Sequence, residues 1–232
     1  MDSETRGRLD TTAIAGSAIF SALALVLGGA SQALGLNFPL IPYLQFDVGE
    51  VAIILAFFIF GPVPALVSSF VEFGGLMVFG QQVPVGPLLK LFALVSTVGG
   101  MWVGTKIASR GGETSLLSLA GWSTAMGAGV RALVMTLPNF YLIVTLYGLQ
   151  AIEGFLKAPF AVIGIGLTDA NALWVILGFT AMFNVLQLLL VMAVSSFVLR
   201  VPAVSKVKVG GRTPWFASVL RGTRRMGAEP IG

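Results

Sequence analysis

Hydrophobic positions in this chain do not alternate with polar ones at the period of a half-buried strand, nor form the single stripe of a surface helix. They come in blocks. Charge is absent from 11–46, 51–71, 73–89, 91–105, 114–130, 132–152 and 170–199, and a helix crossing the hydrocarbon core needs about 20 apolar residues. Punctuation divides the blocks. The first span runs from Thr12 to Leu34, before the loop of Pro39 and Pro42. A short second starts at Val48 and stops at Gly61-Pro62-Val63-Pro64, because proline removes a donor and disfavours helix at the residue before it. The third ends at Gly80, and Gln81-Gln82-Val83-Pro84 turns the chain into a fourth that ends near Arg110. The fifth covers Ser115 to Gly148 and the sixth Ala172 to Leu199, with a looser segment over 149–171 that carries Glu153, Lys157, Pro159 and Asp169. The pattern predicts an all-α membrane protein of six helices, the second one short. No repeat recurs at helix-pair spacing, so 12–200 reads as one membrane domain between a short N-terminus, 1–11, and a tail, 201–232.

Composition places this pattern in lipid. Of 232 residues 56% are hydrophobic and 10% charged, where a soluble domain carries about 25% charged, and the mean hydropathy is +0.93. A soluble enzyme, a disordered tail and a secreted scaffold are excluded. Cysteine and histidine are both absent, which removes thiol nucleophiles, Ser-His-Asp triads and the usual zinc and haem ligands. Neither catalysis nor a metal is expected. Arg6 and Arg8 ahead of an apolar run, with Ala30-Ser31-Gln32-Ala33 after it, imitate a signal peptide, but the run is too long for one and reads as span one. Lys106 and Arg110 follow span four, and Arg200, Lys206, Lys208, Arg212, Arg221, Arg224 and Arg225 follow span six. Basic residues stay inside, so both termini are expected in the cytoplasm of a cell-membrane protein, with the 35–47 and 149–171 loops outside. The tail reads as topology signal and lipid-surface contact; without a basic-aromatic domain, nucleic acid is no partner.

A charge within the membrane costs at least about 2.5–3.5 kcal/mol and asks for a reason. Glu72 lies eight residues before Gly80, about 12 Å deep, and Lys90 six residues past Pro84, about 9 Å deep from the same side. A short turn makes their helices antiparallel neighbours, so the two charges can meet, either as a self-neutralising pair or as the lining of an outward cavity. Asn139 lies nine residues before Gly148, and Asn184 and Gln187, three apart, share one face of span six. Each is interhelical glue or, where depths converge, part of a binding pocket. Arg131 shares a face with Met135 and Asn139 and is expected at a helix junction, satisfied by carbonyls or lipid phosphate. The loop from Phe38 to Asp47 has three aromatics and two prolines: an interfacial aromatic belt, or a stiff set of rings to lay over a flat ligand. Ala15, Ala18 and Ala22 form a small-residue stripe on span one, where another helix can approach closely.

Together these segments resemble the substrate-binding S component of an energy-coupling factor (ECF-type) vitamin transporter, with the riboflavin branch nearest. The resembling residues are Phe38-Pro39, Tyr43-Leu44-Gln45-Phe46-Asp47, Gly61-Pro62, Gly86-Pro87-Leu88, Arg131 to Thr136 with Asn139-Phe140-Tyr141, and Phe183-Asn184. The resemblance implies a six-helix bundle that captures a vitamin, a flavin first of all, from outside. It implies docking onto a transmembrane coupling subunit driven by two cytoplasmic ATPase subunits, with Ala15, Ala18 and Ala22 as the docking face. It places the lid on Phe46 and the ligand contacts on Asn139 and Asn184. Where that branch carries lysine three residues after the span-six asparagine, this chain has Gln187, and the charges at Glu72 and Lys90 are also its own. The candidate substrate-binding set is therefore Phe46, Asp47, Glu72, Lys90, Asn139, Asn184 and Gln187. Other readings remain: an S component for another heteroaromatic ligand, a structural membrane subunit, or a lipid enzyme working with Glu72 and either Asp47 or Glu50.

Overall fold

The computed structural model describes residues 11–80, 82–110, 115–200 and 213–226. Helix α1 (Thr11–Ala33) leads into a small antiparallel hairpin, β1 (Asn37–Phe38) and β2 (Ile41–Gln45). Then follow α2 (Glu50–Phe60), α3 (Pro62–Phe79), α4 (Val85–Arg110) and α5 (Leu116–Tyr141), the last extended by a π-helical turn over Leu142–Tyr147. Helices α6 (Leu149–Val162), α7 (Ala172–Arg200) and α8 (Trp215–Met226) complete the described chain. Among the described residues five helices are long and apolar enough to cross a membrane: α1, α3, α4, α5 with its π-helical extension, and α7. This is a multi-pass, all-α membrane architecture.

Helix α2 is different in kind. Its 11 residues extend only about 16 Å, against a hydrocarbon core of about 30 Å. Every side chain from Glu50 to Phe58 is buried, so α2 is a core helix with its neighbours on all sides. Gly61, at φ 105°, breaks it from α3, and Pro62 starts the new helix where a missing N–H costs nothing. The space beyond the end of α2 is filled by α8. The Trp215 ring lies edge-on to Phe57 at 5.2 Å, and Phe216 is 2% exposed. The tail, read from sequence as lipid-surface contact, thus contributes a helix that plugs its aromatic residues into the core. The N-terminal 1–10 and the basic residues Lys206, Lys208 and Arg212 lie outside the described residues.

Small residues set the helix seams. A side-chain carbon on Gly100 would lie 2.6 Å from the Met126 carbonyl of α5, and one on Gly104 would strike the Trp122 carbonyl. Gly100-x-x-x-Gly104 is therefore where α4 and α5 close, by the close approach that holds helices together in lipid. Along the α1–α3 seam serines face serines: Ser17 donates to the Pro64 carbonyl at 3.1 Å and Ser21 to the Ser68 carbonyl at 3.2 Å. Ala15, Ala18 and Ala22 lie on the opposite, exposed side of α1.

The segment 149–171, expected to be loose, contains a helix. Ile152, Leu156 and Phe160 recur every four residues along α6 and bury against Ile176 and the hairpin residues Phe38 and Ile41. Glu153 and Lys157, interleaved with them, hid that row. Two cores result, one around α2 and a smaller one under the hairpin.

Candidate functional site: a charged cavity beneath the hairpin

The hairpin is tied down on three sides. Gln45 donates its side-chain N–H to the Ser31 carbonyl of α1 at 3.0 Å, and the Val48 N–H reaches the Ser31 hydroxyl at 2.9 Å. Gln187 of α7 donates to the Asp47 carbonyl at 2.7 Å and accepts from the Asp47 N–H at 3.3 Å. The Asp47 carboxylate accepts from the Gly49 N–H at 2.6 Å, at the start of α2, where a negative charge suits the helix dipole. Its other oxygen pairs with Lys90 of α4. Asp47 thereby joins the hairpin to α2, α4 and α7.

Beneath this knot lies a cavity of about 410 Å³, within the range of small-molecule sites. Its charged wall consists of two linked clusters. In one, Lys90 stands between Asp47 and Glu72, the latter fully buried with its carboxylate 2.5 Å from the ammonium. In the other, Arg131 of α5 presents both terminal nitrogens to Glu50, at 2.5 and 2.9 Å. Its Nε donates to Asn184 of α7 at 2.9 Å. Arg131 and Glu50 are each 3% exposed. A bidentate, fully paired guanidinium is the arrangement in which a charge is tolerated at this depth.

The upper wall is aromatic and polar. Tyr43 and Tyr147 line it, together with Asn139. Burial, with the neighbouring Tyr147, pushes the Tyr43 phenol up to about 12, so it remains a neutral donor. Asn139 turns one amide N–H onto the Met135 carbonyl at 2.7 Å, which leaves its oxygen and its second N–H to meet a ligand. Pro138 precedes it inside α5, and the π-helical turn that follows carries Leu142, Ile143 and Tyr147 into the cavity wall. Such widened turns let a helix re-aim side chains at a site.

No protein-family model, curated protein or solved structure matches this chain.

Of the seven sequence candidates, the structure brings Asp47, Lys90, Asn139 and Asn184 to the cavity wall. Three take other positions. Phe46 is not a free lid: its ring packs on Phe183 at 5.0 Å and Phe38 at 6.1 Å. Gln187 spends both its amide atoms on the Asp47 backbone, so it holds the hairpin. Glu72 sits behind Lys90, away from the lining. Arg131 is satisfied by the Glu50 carboxylate instead of the carbonyls or lipid phosphate expected for it. Sequence reasoning missed Glu50 as that partner and Tyr43 as a wall residue. The signal for Glu50 was its place three residues after Asp47 at the start of a buried helix, where both acids crowd one end.

Proposed function

We propose that this protein is the vitamin-capturing S component of an ECF-type importer, taking a flavin from outside the cell. The observation that carries the reading is the cavity beneath the hairpin, with Tyr43, Asn139 and Asn184 converging on it from the hairpin, α5 and α7. Helices α4 and α7 both run away from the hairpin to end on basic residues, Lys106 with Arg110 and Arg200, and basic residues stay inside. That orientation puts the hairpin and the cavity outside and both termini in the cytoplasm of the cell membrane. Counting α2 as the short second member gives the six-helix bundle of the S components.

The chain contains no G-x-x-x-x-G-K-[ST] run for nucleotide phosphates, so uphill uptake draws energy from partners: a transmembrane coupling subunit and two cytoplasmic ATPase subunits. The exposed Ala15/Ala18/Ala22 side of α1 suits a helix of that coupling subunit, because small residues permit the close approach that substitutes for hydrophobic burial in lipid. Titration of the purified protein with riboflavin, read by quenching of flavin fluorescence, tests the reading. Asn139→Ala removes an acceptor at the wall and is expected to weaken binding by about 1–3 kcal/mol. Absence of quenching, or an unchanged curve for the variant, refutes the placement.

A further inference from the structure

The charges around the cavity are unequal in number and in availability. Three carboxylates, Asp47, Glu50 and Glu72, face two cations, Lys90 and Arg131. Neither cation is free. Arg131 gives both terminal nitrogens to Glu50 and its Nε to Asn184, and Lys90 is shared between Asp47 and Glu72. Of the side-chain amides, Asn139 and Asn184 each donate one N–H to the carbonyls of Met135 and Thr180 on their own helices.

Helix N-termini are the other place where an anion is held, and two border the cavity. At the start of α2 the Gly49 N–H is taken by Asp47. At the start of α4 the Gly86 and Leu88 N–H groups bond to the Gln82 and Pro84 carbonyls, at 3.0 and 3.2 Å, and Pro87 has none to offer. Both cationic donors are thus paired with carboxylates, and the wall's other side-chain donors include the phenols of Tyr43 and Tyr147 and the amide of Asn139. Its acceptors are the Asn139 oxygen and the remaining lone pairs of the Asp47 and Glu50 carboxylates.

Resting on the reading of this cavity as a ligand site, we infer that it admits uncharged or cationic heterocycles bearing hydrogen-bond donors and excludes anionic ones. An added negative charge meets a surplus of carboxylate in a weakly screened setting, where like-charge juxtaposition is costly. Substrates that a cell has phosphorylated, or that carry a free carboxylate, are rejected by charge before shape is tested.

Two matched pairs test this with the full chain in detergent micelles, by calorimetric titration: riboflavin with its 5′-phosphate, and nicotinamide with nicotinate. The second pair is nearly isosteric and separates charge from size. In each pair that binds, the uncharged member is expected to bind at least about tenfold more tightly, and Asp47→Asn is expected to narrow that gap. An anionic member bound as tightly as its neutral partner overturns the inference and leaves the flavin reading standing. A gap that Asp47→Asn does not move overturns the electrostatic cause assigned to it. Discrimination within the nicotinamide pair, with no binding of riboflavin, supports the inference and overturns the flavin reading. Failure of both pairs to bind overturns both.

Discussion

Lys90 is the residue whose loss reports most directly on how this bundle is held. Its ammonium is the link between Asp47 of the hairpin and Glu72 of α3. In Lys90→Met a chain of similar length fills the same space, but two carboxylates are left facing each other. Glu72 is 0% exposed, and its carboxylate has no hydrogen-bond partner among the described residues other than the ion pair with Lys90. Removing one member of a buried pair typically costs about 3–5 kcal/mol, mostly the penalty of the charge left behind. Glu72→Gln should be far milder, at most about 1–2 kcal/mol, because Lys90 keeps Asp47 and the most deeply buried charge is gone. The double variant Lys90→Met/Glu72→Gln should recover more than about 1 kcal/mol of the single Lys90 loss, a coupling well above the scatter of independent sites. Unfolding of the purified variants in mixed micelles, followed by circular dichroism and compared at one detergent composition, measures all three. Simple additivity of the two substitutions, or a Lys90→Met protein as stable as the parent, refutes the argument.

Three further outcomes are expected. Tyr43 ionises at about 12 in the fold against an ordinary 10.0, so its contribution is whole below pH 10 and lost as pH rises toward 12; about 2–3 kcal/mol is at stake. Alkaline melting curves of Tyr43→Phe should lack that decline, and parallel curves for both proteins would show that the phenol is not held. Gly104→Val drives a branched side chain into the Trp122 backbone and should prevent the stable fold, whereas Gly129→Val, where nothing lies within 4 Å, should express and melt normally. Ala18→Trp, on the exposed side of α1, should change stability by less than about 0.5 kcal/mol and leave riboflavin titration intact while blocking co-purification with a coupling subunit.

Much of the architecture is legible in the sequence because it follows from how lipid treats a backbone. Charge-free blocks must be helical where no water can satisfy their N–H and C=O groups, and proline and glycine must mark their ends. The limits of α1, α3, α4, α5 and α7 could therefore be read within a few residues, and the Glu72–Lys90 pair followed from counting turns on two antiparallel neighbours. Polarity patterns also implied a place where Lys90, Asn139 and Asn184 lie at similar depth. Partner choice lay beyond that logic. Nothing local to Arg131 names Glu50, 81 residues away, and nothing local to Gln187 says that it will clamp the backbone of Asp47 instead of facing a ligand. Ala15, Ala18 and Ala22 and Gly100 and Gly104 are equivalent small-residue patterns on paper, yet one faces outward and the other closes a helix seam, because only the packing of α4 on α5 decides which approach is used. The same holds for α6, whose apolar row needs the hairpin and α7 before it is a core, and for α8, which is a helix in place because the short α2 leaves a space that Trp215 and Phe216 fill. Sequence determines which groups must be paired or hidden from lipid; the fold alone decides with what, since that depends on which distant segments a close-packed bundle brings within about 3 Å.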